Sequence, residues 1–240
     1  MDNDVNIYIK LILIHKKKYK FIVKEKRMEE KRKNNSNHIA DEKLNTENKI
    51  IIPIIPYERK LEIENFANEI LNEAQVEDGQ VFDLISHLQK ENFVVIDCPL
   101  GDDTTGMLIV DENKSLNILG TNTNKLIVIN EHLKYDDNYL KRRRFICAHE
   151  YGHYQLHKNG KLQLAMRDTG HFGTLEEQEA EYFARCLLMP QDKVIKLISI
   201  VNRISQEKSF YIYTKCVSDF FNVTIKKATQ RLRELGYIEG

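Results

Sequence analysis

The stretch whose reading decides the fold is RRRFICAHEYGHYQLHKNG, residues 142–160. His149, His153 and His157 recur in it at every fourth position, and Glu150 directly follows the first. On a helix, residues four apart project from one face a turn apart, so His149 and His153 can close on a single cation. Glu150 then lies about 100° round the helix axis, beside the cation and not on it. A general base is needed there, because a bound cation acidifies water and a nearby carboxylate can take the proton as the water attacks a carbonyl carbon. The residue types and their spacing are those a metallopeptidase requires. The plainer alternative is a buried histidine pair with no metal, held by hydrogen bonds.

A tetrahedral catalytic zinc takes three protein ligands and leaves the fourth position to water. His157 continues the series, but eight residues of straight helix place it about 12 Å of rise from His149, too far for bonds of about 2 Å to one metal. It is expected to line the cleft or cap the helix end. His171 falls in the following polar segment, and nothing in the pattern locates it. Phe145, Gly152 and Leu156 share the side of the two histidines, so that side is expected to face inward. Gly152 costs about 1 kcal/mol relative to alanine in a helix, which points to another backbone packed closely against it.

The next segment, LEEQEAEYFARCLLMP at residues 175–190, predicts a helix stopped by Pro190. Ala180, Phe183, Ala184 and Leu187 form its core stripe, with Glu176 and Glu179 flanking it. Either glutamate can turn inward to supply the third ligand, and periodicity does not choose between them.

Outward from this pair of helices, the chain has the composition of a soluble protein. It has 240 residues, 42% hydrophobic and 30% charged, with 36 basic against 36 acidic side chains. That balance creates no overall field toward nucleic acid or membrane. The longest apolar runs, residues 5–14 and 50–55, fall short of the roughly 20 residues of a membrane helix. Lys16, Lys17 and Lys18 follow the first run instead of preceding it, unlike a signal peptide. The expected location is the cytoplasm, with no membrane partner. Cys98, Cys147, Cys186 and Cys216 are widely spaced and lack a CxxC pattern, so reduced, packed thiols are expected.

Three regions follow. Residues 1–56 form a lysine-rich extension containing Met28, a second candidate start, and read as poorly ordered. Residues 57–190 are globular. YERKLEIENFANEILNEAQV predicts a helix with Leu61, Ile63, Phe66, Ile70 and Leu71 inward, and VFDLISHLQKENF a second with Val81, Leu84, Ile85 and Leu88. FVVIDCPL, GMLIVD and KLIVIN predict the strands of a small sheet. Residues 158–174 read as a polar loop. Residues 191–240 predict further helices, ending in TKCVSDFFNVTIKKATQRLRELGYIEG, which resembles a helix-turn-helix with its turn at Asn222–Thr224. The fold class is therefore α+β.

The order of the KLIVIN strand, the RRRFICAHEYGHYQLH helix and EEQEAEYFARCLLMP resembles the ImmA/IrrE family of zinc metallopeptidases. The resemblance spans about residues 60–190. It implies a zincin-like domain with a small, mainly antiparallel sheet, a Zn2+ cofactor held by His149, His153 and Glu179, and Glu150 as catalytic base. Glu181 stands where many relatives have Asn or Asp. Family members cut helix-turn-helix transcriptional repressors, often encoded beside them on mobile elements, and so release stress genes. The expectation is a site-specific endopeptidase with such a repressor as its protein substrate, binding it by strand addition at GMLIVD or a neighbouring strand. A different class of function is a DNA-binding regulator or toxin–antitoxin component with a vestigial protease. In that case Lys226, Lys227, Arg231 and Arg233 would face nucleic acid, although Glu234 and the neutral chain count against it. The plainer reading of this C-terminal region is a helical pair packed on the metal domain.

Overall fold

The structure, a computed structural model, describes residues 54–77, 79–100, 104–111, 123–157, 162–168, 174–204 and 209–238, with the backbone alone for 162–168 and 204. All of these belong to the unit Ile51–Gly240. Residues 1–53 of the basic extension, Met28 among them, lie outside the described residues, as does His171. In chain order the elements are α1 (Tyr57–Glu73), α2 (Leu84–Lys90), β1 (Phe93–Cys98), β2 (Thr104–Asp111), β3 (Lys125–Asn130), a short 3-10 turn (Glu131–Tyr135), α3 (Tyr139–Leu156), β4 (Leu162–Asp168), α4 (Leu175–Leu188), α5 (Gln191–Ile204), α6 (Phe210–Phe220) and α7 (Ile225–Glu234).

The architecture is mixed α and β. The four strands run in the order β1-β3-β2-β4, with β1 parallel to β3 and both other pairs antiparallel. Two expectations change here. The LQLAMRD segment forms strand β4 where a polar loop was expected, with its leucines and methionine at alternate positions of the sequence. As a result GMLIVD in β2 is an interior strand bonded on both sides, and the edges available for strand addition are β1 and β4.

Helix α3 lies across the sheet, and α4 and then α1 pack beyond it. This position explains an unbroken buried run from Phe145 to His153: a helix covered on opposite sides is buried all round and loses the amphipathic signature of a surface helix. The three arginines that open α3 each reach a different partner. Arg142 pairs with Asp136 at 2.6 Å and Arg143 with Asp97 at 3.1 Å. Arg144 donates to the carbonyls of Phe82 and Phe221, tying α3 to the segments before α2 and after α6. In α1 the inward residues are Ile63, Ala67, Ile70 and Leu71. Leu61 was expected inward but is 51% exposed, and Val81 precedes α2 and is exposed as well. Both sit at the edge of the stripe, where spacing alone assigns a residue to either side.

Two glycines let α3 come this close to its neighbours. A Cβ on Gly106 of β2 would stand 2.4 Å from the Ile146 methyl and 3.0 Å from a Glu150 carboxylate oxygen. A Cβ on Gly152 would meet the Phe183 ring at 3.0 Å and the Ala180 backbone at 3.2 Å, which is the close backbone packing expected of that residue. Gly106→Ala and Gly152→Ala are each expected to destabilise the fold by about 1–3 kcal/mol through overpacking. Denaturant unfolding measures this, and an unchanged midpoint in both variants would show that the helix is not packed so tightly.

At the C-terminal end, α6 and α7 meet at a short turn in which Asn222 takes φ 51°, and Thr224 caps α7 by accepting from the Lys227 amide. Their apolar sides, including Val217, Phe221, Val223, Ala228 and Leu232, join the same core as α3 and α4.

Candidate metal centre

His149 and His153 leave the same side of α3, and their Nε2 atoms stand 3.1 Å apart with the rings edge to face. Both are buried, at 1% and 5% exposure. The third group is the Glu177 carboxylate, with one oxygen 3.2 Å from His149 Nε2 and the other 3.1 Å from His153 Nε2. Among the described residues, His149, His153 and Glu177 form a group able to hold a metal ion, with their donor atoms within 4.8 Å of one another. Zinc bonds of about 2.0–2.2 Å meeting at tetrahedral angles separate donor atoms by about 3.3 Å or slightly more. The two Nε2 atoms stand just inside that edge length and the two Glu177 contacts come from different oxygens, so these groups fit a cation of this size once the side chains move slightly apart and the carboxylate turns toward it.

Glu177 is placed by the start of its helix. Thr174 accepts from the Glu177 amide at 3.2 Å, so α4 begins with Glu177 in its first turn. Burial raises the Glu177 carboxyl pKa. Hydrogen bonds to His149 and then to His153 outweigh this and hold it well below the usual carboxylate range. The group is therefore an anion, as a metal ligand must be.

Glu179, which the family resemblance puts forward as third ligand, is held elsewhere. Two residues further along α4 it points about 200° away from Glu177 around the axis. There it accepts two hydrogen bonds from Arg59 of α1, at 3.0 Å from Nε and 2.8 Å from Nη2. The structure thus brings His149, His153 and Glu177 together and leaves Glu179 on the α1 side of its helix. Glu176 is exposed, and its backbone carbonyl lies 3.2 Å from His157 Nε2. His157 itself is the C-cap of α3, the helix-end position expected from its spacing. The signals that single out Glu177 are its threonine cap three residues earlier and its place three residues before Ala180, the residue packed against Gly152.

Glu150 is fully buried and turned toward β2, where the missing Cβ of Gly106 makes room for its carboxylate. On the opposite edge of α4 from Glu179, Glu181 follows Glu177 by one turn, and its Oε2 lies 3.6 Å from His149 Nδ1. The Cys147 thiol is completely buried, and burial pushes its pKa up to about 12. A thiol so protonated is neither a nucleophile nor a ready ligand, in keeping with a packing role.

Two imidazoles and a carboxylate drawn together from two helices, with the buried Glu150 carboxylate beside the histidines on α3, define a metallopeptidase-like domain. The chain belongs to the peptidase family described as the IrrE N-terminal-like domain, which matches residues 89–233, more than half of the 240. That span contains all the residues of the metal centre and nearly all of α7. None of the curated proteins matches the chain.

Proposed function

We propose that this chain is a zinc-dependent, site-specific endopeptidase that cleaves a helix-turn-helix transcriptional repressor in the cytoplasm, releasing mobile-element or stress genes. The observation that carries the reading is the buried His149–His153 pair joined by the half-buried Glu177, with Glu150 one residue from His149. Two imidazoles and one carboxylate suit zinc better than the all-oxygen preference of magnesium or calcium. When bound, such a cation polarises a carbonyl and acidifies a water.

The chain's own groups do the rest. His149, His153 and Glu177 would hold the cation, the two histidines from within the core and Glu177 from its half-buried edge. Glu150 takes a proton at its carboxylate and can return it to the leaving amine. Among the described residues no strand pairs with the outer edge of β4, and β2 is bonded on both sides, so an extended substrate would add at β4. The repressor as substrate rests on the resemblance of the motif segments to the ImmA/IrrE proteases. No described helix is long and apolar enough to cross a membrane.

The DNA-binding alternative has less support. Of the four basic side chains on α7 expected to face nucleic acid, Lys227 bonds Glu181, and the fully buried Arg231 bonds Glu64 and the Met189 carbonyl. Only Lys226 and Arg233 of the four are exposed, too few for strong phosphate binding.

Incubating the purified chain with the helix-turn-helix repressor encoded by the adjacent gene tests the proposal. Zinc-loaded protein is expected to give one pair of discrete fragments, lost on chelation and restored by zinc. An intact repressor in the presence of zinc-loaded protein would overturn it.

A further inference from the structure

The last helix reaches the metal centre through one carboxylate. Glu181 lies on α4 a turn after Glu177, and its two oxygens face opposite ways. Oε2 is 3.6 Å from His149 Nδ1, slightly longer than a hydrogen bond. Oε1 takes the Lys227 ammonium of α7 and the Arg185 guanidinium, the latter at 3.2 Å. Arg185 is in turn fixed by Glu234 of α7, at 2.8 Å from Nε and 2.6 Å from Nη2. The Lys227 ammonium also lies 4.3 Å from the centre of the Phe145 ring, one turn before His149 on α3. Helix α7 thus grips Glu181 both directly and through Arg185, and rests on the helix that bears the histidines.

The chemistry of His149 gives this arrangement a role. Its Nε2 faces His153 and Glu177, so a neutral ring that offers Nε2 to a cation must carry its proton on Nδ1. Nδ1 is buried and makes no hydrogen bond in this structure, and the carboxylate turned toward it is that of Glu181. Metal-binding histidines donate their other N–H to such a carboxylate, which sets the tautomer and ring orientation. A carboxylate one turn from Glu177 also has to be kept from turning onto the cation site itself, and salt bridges on its far oxygen do that.

We propose that Lys227 is a positioning residue for the metal centre: with Arg185 it holds Glu181 so that Glu181 accepts the Nδ1 proton of His149 and presents His149 Nε2 to the metal. The C-terminal helical pair is then part of the metal-binding machinery and not only packing. This inference rests on the metallopeptidase reading of the triad.

The test uses the full chain carrying Lys227→Met, Lys227→Arg or, as a control on the exposed neighbour, Lys226→Met. Zinc affinity is measured by competition with a chromophoric chelator, and the His149 tautomer and its Nδ1 proton by 15N NMR of the zinc-loaded protein. Lys227→Met is expected to weaken zinc binding about 10–100-fold. Lys227→Arg and Lys226→Met are expected to stay near wild type. In the zinc-loaded protein, where the cation takes Nε2, the His149 Nδ1 proton should be protected from solvent exchange in wild type and lose that protection in Lys227→Met. Unchanged zinc affinity and Nδ1 proton protection in Lys227→Met would overturn the inference, even with a lower melting midpoint, since that combination marks packing alone. A Lys227→Arg variant as weak as Lys227→Met would also overturn it. Should wild type take up no zinc, the proposed function fails and the inference with it, whereas zinc binding that Lys227→Met leaves unchanged overturns the inference alone.

Discussion

Glu177→Gln is expected to weaken zinc binding by more than the roughly 10–100-fold that outer partners of a metal ligand cost, because it removes one of three ligands outright. Peptidase activity should be lost with the metal. Glu179→Gln is the matched control. It breaks the two hydrogen bonds from Arg59 and is expected to cost about 1–3 kcal/mol of stability while zinc affinity stays near wild type. Chelator competition and denaturant unfolding on both variants separate the two carboxylates. Zinc loss in Glu179→Gln with retention in Glu177→Gln would reverse the assignment drawn from the geometry. The two residues lie two positions apart on one helix and differ in what holds them: Glu177 meets the Nε2 atoms of His149 and His153, whereas Glu179 is held by Arg59 of α1 and lies 3.8 Å from His157 at the end of α3.

The second large effect belongs to Glu150. Glu150→Gln keeps the size of the side chain in the space under Gly106 but removes its ability to accept a proton. Repressor cleavage is expected to fall by about 10²–10⁴-fold, the usual contribution of a general base. Zinc affinity should change little, since Glu150 is not among the three residues whose donor atoms converge. Cleavage by Glu150→Gln at the wild-type rate would sink the mechanism, and loss of zinc from the variant would instead place Glu150 among the ligands.

Much of this centre is legible before any folding is considered. The i, i+4 spacing of His149 and His153 lies within one helix, whose geometry is the same in every protein, so their convergence and the exclusion of His157 follow from rise and rotation alone. The same holds for Gly152: its cost inside a helix signals a close neighbour, and Ala180 is that neighbour. The stripe of Ala180, Phe183, Ala184 and Leu187 is fully buried for the same local reason.

Other features needed contacts far apart in the chain. Strand β4 has recognisable alternation, but its polar flanks give it the composition of a loop, and pairing with β2 makes it a strand. That pairing also moves the open sheet edge from β2 to β4, which no local pattern reveals. Lys227 and Arg231 look like a basic surface on α7, yet their partners Glu181 and Glu64 lie 46 and 167 residues away.

The sequence by itself determined the helix that carries two candidate metal ligands and the proposed base, because these depend on positions within a single turn or two. Tertiary structure decided which glutamate completes the set. The sequence pattern put forward Glu176 and Glu179 beside the apolar stripe and passed over Glu177, the one that lies with the two histidines, only two positions from Glu179 on the same helix. What separates Glu177 from Glu179 is that α3 packs on one edge of α4 and Arg59 of α1 on the other, and a side chain's direction in space depends on which neighbour covers each face.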